Sequence, residues 1–378
     1  MRIGLDVRPS LREETGVGVY IRNLVDRLAR IDRNHEYFLF SSSWKDRFPA
    51  SAVPPLPNVR LKDFRLPVRA MNFLWQELGW PPLDIFAGGR LDLAHSPTPL
   101  ILPTRGRTVV TVCDLFFLDE PEKADAEARR VFVRKAEKSL RAADGVLTIS
   151  RFTRAAVLDR FGLDADKVEA VLLGVGVDYS VPPAREDLES TRRRLGLPSE
   201  FVLFVGAVEP RKNLPGLIEA MRIIRDRGLR APLVIAGREG GDSGRVRESI
   251  AARDLEDRVV FTGYVSDTEL RNLYRSARLL VVPSFLEGFG LPLAEAMASE
   301  LPVAASAAGA LPEVGGNAPL YFDPVDIEGM AEAVSRLYED EALRRDRIAA
   351  GRARAAELTW DRTAAATLEF YKRIVGGG

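Results

Sequence analysis

Residues 279–306 read LLVVPSFLEGFGLPLAEAMASELPVAAS. The apolar run Leu279–Val282 ends in a turn opened by Gly288 and Gly290, a helical stretch follows from Pro292, and a second short run, Val303–Ser306, completes the unit. Proline at a helix start is preorganised, because its missing N–H would have no partner there. A short apolar run, a turn, a helix and another apolar run form a crossover unit, and crossover units build parallel sheets.

The same alternation continues on both sides. Towards the amino terminus the β-branched runs predict strands at Ile3–Val7, Tyr37–Ser41, Val59–Lys62, Leu93–His95, Thr108–Val112, Gly145–Ile149 and Val168–Leu172, with helices at Tyr20–Arg30, Ala126–Ala142 and Phe152–Phe161. A second series has strands at Phe201–Val205, Leu233–Ala236, Val259–Thr262, Leu279–Val282, Val303–Ser306 and Leu320–Phe322, with helices at Leu214–Arg227 and Ile327–Tyr338. Between the series, Asp178–Ser199 is polar and carries Pro182, Pro183 and the run Arg192–Arg194, as an interdomain connection would. The expectation is α/β, with two tandem Rossmann-like domains at 1–180 and 196–358 and a closing helix at 360–375. Open parallel sheets bind ligands at their strand carboxyl ends, so two such domains facing one another would hold two substrates in a cleft.

Composition narrows the chemistry. Lys plus Arg and Asp plus Glu are each 54 among 378 residues, so no global field favours nucleic acid or anionic lipid. One cysteine, Cys113, excludes an internal disulfide, and with two histidines it excludes a Cys/His zinc cluster. The opening MRIGLDVRPS lacks the apolar run of a signal peptide, so a cytoplasmic protein is expected, peripheral to a membrane at most.

In the opening stretch, the amides of the glycine turn and of the helix start would form an anion cradle beyond the strand. Glu287 before the turn and Glu295 one turn into the helix would then face a ligand's hydroxyls while the amides hold its phosphates. Taken alone, Glu287 reads better as a solvated loop residue and Glu295 as a helix-dipole partner; the two glycines, Pro292 and their order after a strand favour a site. In GAVEPRKN, residues 206–213, Arg211 and Lys212 fall beyond a strand end and at the start of the next helix. Cations there oppose the helix dipole, so a purely structural reason for them is weak, and they suit a leaving diphosphate.

Other residues are weaker signals. Gly16 and Gly18 lie between the first strand and its helix, where a ligand can approach the backbone, but the third glycine and acidic ribose partner of the dinucleotide fingerprint are missing. This disfavours a nucleotide-dependent oxidoreductase. His95 ends a strand in DLAHSPTPLILP, and Asp164 and Asp166, spaced as a metal-binding D-x-D, read better as turn residues. Ser150 and Asp267 read as helix caps. The segment FRLPVRAMNFLWQELGWPP mixes Arg65 and Arg69 with Phe73, Trp75 and Trp80; it suits a membrane surface or a packed helix, and the packed helix is preferred.

The spacing from Glu287 to Glu295 resembles the E-x(7)-E signature of the retaining glycosyltransferase family 4, and EPRKN resembles a branch of bacterial mannosyltransferases. The resemblance covers nearly the whole chain and implies the GT-B fold. It implies that Glu295 binds the donor ribose, that Glu287 meets the sugar hydroxyls, and that Phe289, Gly290 and Leu291 present backbone amides. Arg211 and Lys212 would neutralise the diphosphate without a metal or other cofactor; Gly16, Gly18, Tyr264 and Val265 would line the donor site, and His95 and Asp114 would meet sugar or acceptor. Many relatives have Arg at Ala207 and His at Cys113, where this chain departs. The implied reaction moves a hexose from a nucleotide-sugar, GDP-mannose first and a UDP-sugar second, to a glycan or lipid-linked acceptor. A catalytically silent sugar-nucleotide-binding protein is the alternative.

Overall fold

The structure is a computed structural model and describes residues 1–11, 15–119 and 126–377. The chain divides into two compact units, Met1–Gly174 with Trp360–Gly378, and Val175–Thr359.

The first unit holds a parallel sheet of β1 (Arg2–Asp6), β2 (Glu36–Ser42), β3 (Val59–Phe64), β4 (Leu93–Ser96), β5 (Arg107–Val112), β6 (Gly145–Thr148) and β7 (Val168–Ala170), in the order β3-β2-β1-β4-β5-β6-β7. The second holds β8 (Val202–Val205), β9 (Leu233–Ala236), β10 (Val259–Gly263), β11 (Leu279–Val282), β12 (Val303–Ser306) and β13 (Leu320–Phe322), in the order β10-β9-β8-β11-β12-β13. The strands expected from the sequence are all present, with ends moved by at most two residues. They were legible because a strand covered on both faces is apolar throughout; β9, β11 and β12, for example, are buried along their whole length.

In each sheet the strand order reverses once, between β1 and β4 and between β8 and β11. Neighbouring connections leave there in opposite directions, so their loops part at the carboxyl edge and open a crevice.

The polar segment read as an interdomain connection is part of the second unit. Residues Arg185–Leu195 form a helix that packs on the helix Asp267–Ser276, with Asn272 Nδ2 donating to Thr191 Oγ1 at 2.8 Å. Of that helix only Thr191 is buried, which is why its composition resembles a linker. The chain passes between units at Gly174–Val175 and Thr359–Trp360, where a parallel bridge joins Val175 to Thr359.

The closing helix, Trp360–Gly376, packs in the first unit against the helix Gly16–Ile31. Gly145 makes room for it, since a Cβ there would stand 2.7 Å from Phe370 Cε1. Trp360 is buried, and Thr363 Oγ1 donates to the Leu172 carbonyl at 2.8 Å. Ser150 and Asp164 serve as caps: Ser150 Oγ accepts from the Thr153 amide and Asp164 Oδ1 from the Asp166 amide. Asp267 does not; Ser266 caps that helix in a capping box with Glu269, and Asp267 is its first helical residue.

Among the described residues no helix is long and apolar enough to cross a membrane. Truncating Trp360 to alanine removes a buried anchor of the closing helix and is expected to destabilise the chain by about 3 kcal/mol or more. Denaturant titration checks this.

Candidate functional site

β8 and β11 are adjacent and parallel, so the loops leaving their carboxyl ends start side by side. The Phe285 amide donates to the Arg211 carbonyl at 2.8 Å and ties the two loops together. Residues Pro210–Lys212 form a single 3-10 turn and Asn213, at φ 54°, starts the helix Leu214–Asp226. The two cations therefore precede the helix and do not occupy its first turn as expected. The dipole conflict inferred from sequence is correspondingly smaller.

Lys212 and Glu287 are both buried, and Lys212 Nζ donates to Glu287 Oε1 at 2.6 Å. Ser284 Oγ donates to the same oxygen at 2.7 Å, and Arg211 Nη1 donates to Oε2 at 3.2 Å. Arg211 Nε also reaches Glu209 Oε2 at 3.0 Å. Burial pushes the Glu287 carboxyl up, but the Lys212 and Arg211 charges outweigh it and hold the group below its ordinary range. Glu287 is thus an ionised counter-ion that fixes two cations at the strand edge. Protein donors engage both its oxygens, Lys212 and Ser284 at Oε1 and Arg211 at Oε2.

The next turn is built by glycines. Gly290, at φ 90°, caps the helix Leu291–Ala298, and a Cβ there would stand 2.5 Å from Leu311 Cδ2. The Leu293 and Ala294 amides donate to the Gly290 carbonyl; Pro292 has no N–H, and the Leu291 amide opens the first turn, where a helix supplies no partner. Phe289 is buried and anchors this turn; Leu291 is partly exposed. Gly309, not singled out in the sequence, has φ 60° and lets its loop press on Glu287, for a Cβ there would stand 2.6 Å from the Glu287 carbonyl oxygen. The Ala310 amide donates to that carbonyl at 2.9 Å.

Glu295 lies in a different setting. It is buried, and Tyr274 Oη donates to its Oε2 at 2.9 Å. The Tyr179 hydroxyl also acts on the carboxyl, and its ring packs edge-on against Tyr274 with centroids 5.9 Å apart. With no cation in this set of partners, burial dominates and pushes the carboxyl up to about 7, while the two tyrosine hydroxyls pull it back. The sequence reading singles out neither tyrosine, and Tyr179 falls in the stretch read as an interdomain connection. Tyr264 is exposed, with the Arg238 guanidinium 5.8 Å from its ring centroid, and Val265 is buried.

The structure overturns a direct role for His95. Its ring is fully buried, with Nδ1 2.5 Å from the Tyr371 hydroxyl and Nε2 2.7 Å from the Thr111 hydroxyl, which in turn lies 3.2 Å from the Tyr20 hydroxyl. The chain joins β4, β5 and two helices. Burial pushes the imidazole down to about 3, so it stays neutral and structural. Gly16 begins its helix, and the Gly18 amide donates to Thr15 Oγ1 at 3.2 Å. A Cβ at Gly18 would meet only ordinary contacts, so packing does not require glycine there. Asp114 follows β5, and its Oδ1 accepts from the Phe116 amide at 3.2 Å. Among the described residues no group of three or more His, Cys, Asp or Glu is arranged to hold a metal.

Known proteins share this organisation. The family described as "Glycosyl transferases group 1" matches residues 187–354, and "Glycosyltransferase Family 4" matches residues 15–179. The O-antigen chain mannosyltransferase B of Escherichia coli is 30% identical over 393 residues, covering 99% of this chain and all of that protein. Among solved structures, the sucrose-phosphate synthase of Thermosynechococcus elongatus matches with a TM-score of 0.78 at 22% identity over the full length of both chains. Anabaena HepE in complex with UDP-glucose matches with a TM-score of 0.71 at 19% identity, over 98% of this chain and all of that one. The two Rossmann-like units are those of the GT-B fold, and the chain belongs to the group 1, family 4 glycosyltransferases as a hexosyltransferase.

Proposed function

We propose that the enzyme transfers mannose from GDP-mannose, with retention, to a hydroxyl of a glycan or lipid-linked acceptor in cell-surface polysaccharide synthesis, in peripheral contact with a membrane. The observation that carries the reading is the Lys212–Glu287–Arg211 cluster at the β8/β11 crevice, beside the glycine-started helix. The similarity to an O-antigen mannosyltransferase supports the sugar and the pathway class. A UDP-sugar donor is the second reading, supported by the UDP-glucose in HepE.

In this mechanism the donor diphosphate lies against Lys212, Arg211 and the amides of Phe289, Gly290 and Leu291. As the anomeric C–O bond breaks, its electron pair passes to the diphosphate, and the two cations and the amides stabilise the growing charge. They need no reorganisation, because Glu287, itself held by Ser284, already fixes Lys212 in place. The acceptor oxygen attacks the same face, and its proton passes to a donor phosphate oxygen. Glu295 accepts from the ribose hydroxyls, with the base near Tyr264 and Val265. Metal takes no part.

Lys212→Ala is expected to lower kcat roughly 100-fold or more, with a smaller change in donor affinity. Steady-state transfer assays and calorimetric GDP titration separate the two, and a variant as active as the parent would remove the cation from the mechanism.

Glu295 gives a pH signature. Its folded-state value, about 7, lies above the ordinary 4.5. Its stabilising contribution is therefore complete below about 4.5 and is lost as pH rises through about 7. Glu295→Gln is expected to remove that loss, narrowing the difference in denaturation midpoint between acidic and mildly basic buffer. GDP affinity of the parent is expected to rise through the same window, as the carboxylate becomes a full acceptor, and to be flat in Glu295→Gln.

A further inference from the structure

The segment that follows β3 is pinned in the first unit by one side and leaves the other bare. Helical residues Val68–Phe73 run on into a wider turn, Leu74–Leu78. Met71 and Trp75, four residues apart, enter a buried cluster with Phe38, Phe40, Leu83 and Leu91. Trp75 Nε1 donates to the Pro81 carbonyl at 2.8 Å, and the Arg8 guanidinium lies over its ring, 4.5 Å from the centroid. Arg8 is held in turn by Asp6, at 2.7 Å, and by Asn72, at 3.1 Å. The packed-helix expectation is met on this face.

The opposite face is not packed. Phe73, Leu78 and Trp80 are 58%, 63% and 60% exposed, an unusual clustering of three large apolar side chains within eight positions. Arg69 lies one helical turn before Phe73 on the same outward stripe, and Arg65 is also exposed. Cations border the patch from a second element as well. Lys135 Nζ pairs with Glu77 Oε1 at 2.6 Å, and Lys138, also close enough to act on Glu77, is exposed on the same helix, Ala126–Ala142.

We infer that this face docks on an anionic lipid bilayer, with Phe73, Leu78 and Trp80 entering the interface and Arg65, Arg69 and Lys138 meeting lipid phosphates. The charge pattern selects this occupant, because cations from two elements ring an apolar centre in a chain of zero net charge. Aromatic side chains with basic neighbours suit the headgroup boundary. The position also fits. Arg8 follows β1, and Gln76 Nε2 donates to the carbonyl of Ile101, which follows β4, so the patch borders the carboxyl edge of the sheet at its crevice. An acceptor anchored in the bilayer by a lipid would reach that edge without leaving the membrane. This inference deepens the peripheral-contact part of the proposed function, and its test reads binding alone, so it stands or falls apart from the transfer reaction.

The experiment uses the full chain with Trp44→Phe, which leaves Trp80 as the exposed tryptophan, Trp75 and Trp360 being buried. Vesicles containing phosphatidylglycerol are expected to shift its fluorescence to the blue and to sediment the protein, and phosphatidylcholine vesicles are not. Adding Phe73→Ser and Leu78→Ser is expected to weaken vesicle binding by about tenfold or more, with an unchanged melting temperature. Arg69→Glu with Lys138→Glu, the second variant, is expected to weaken it similarly at low salt. Absence of parent binding to anionic vesicles, or equal binding by both variants, overturns the inference. A concentration-dependent dimer abolished by the serine variant would assign the face to a second copy and overturn it as well.

Discussion

Burying a lysine ammonium costs several kcal/mol unless a carboxylate meets it and further hydrogen bonds complete the shell. In this chain the buried Lys212 meets Glu287, whose other lone pairs take Ser284 and Arg211. The partners come from the loops after β8 and β11, so the pair exists only because the strand order reverses there. The sheet topology, the two glycine-dependent backbone turns at Gly290 and Gly309 and the anchoring of Phe289 all converge on holding that pair.

The two glutamates of the motif differ in physical state. Glu287 has cations within reach and is ionised; Glu295 has tyrosine hydroxyls and sits near neutrality in its proton balance. In the proposed mechanism one carboxylate keeps its charge beside a diphosphate, and the other hydrogen-bonds to neutral hydroxyls. A sugar nucleotide presents both kinds of group, and the division between cation-rich and tyrosine-rich surroundings matches it. In the first unit, by contrast, the buried chain from Tyr20 through Thr111 and His95 to Tyr371 spends its polar groups on joining the closing helix to the sheet.

Much of this was legible before any coordinates. Strands covered on both faces stand out as apolar runs, and the glycine turn with its proline marks a helix start, so both sheets and the Glu287–Glu295 turn could be read directly. Pairings at long range could not. Lys212 and Glu287 lie 75 residues apart, and nothing local joins them. His95 was misread because its place at a strand end does not tell which layer the ring enters. Tyr179 was taken for linker because the helix after it buries a single residue, Thr191. The cap at Ser266 was readable, since Ser266 and Glu269 stand at the capping-box spacing, and the neighbouring Asp267 drew the assignment away from it.

The carboxyl edge between β8 and β11 is the proposed donor site. A crystal structure of the chain with GDP tests it most directly. Phosphate oxygens are expected within about 3 Å of Lys212 Nζ and of the amides of Phe289 to Leu291, with the ribose hydroxyls on Glu295. A nucleotide bound elsewhere, with Lys212 still held only by Glu287, would contradict it.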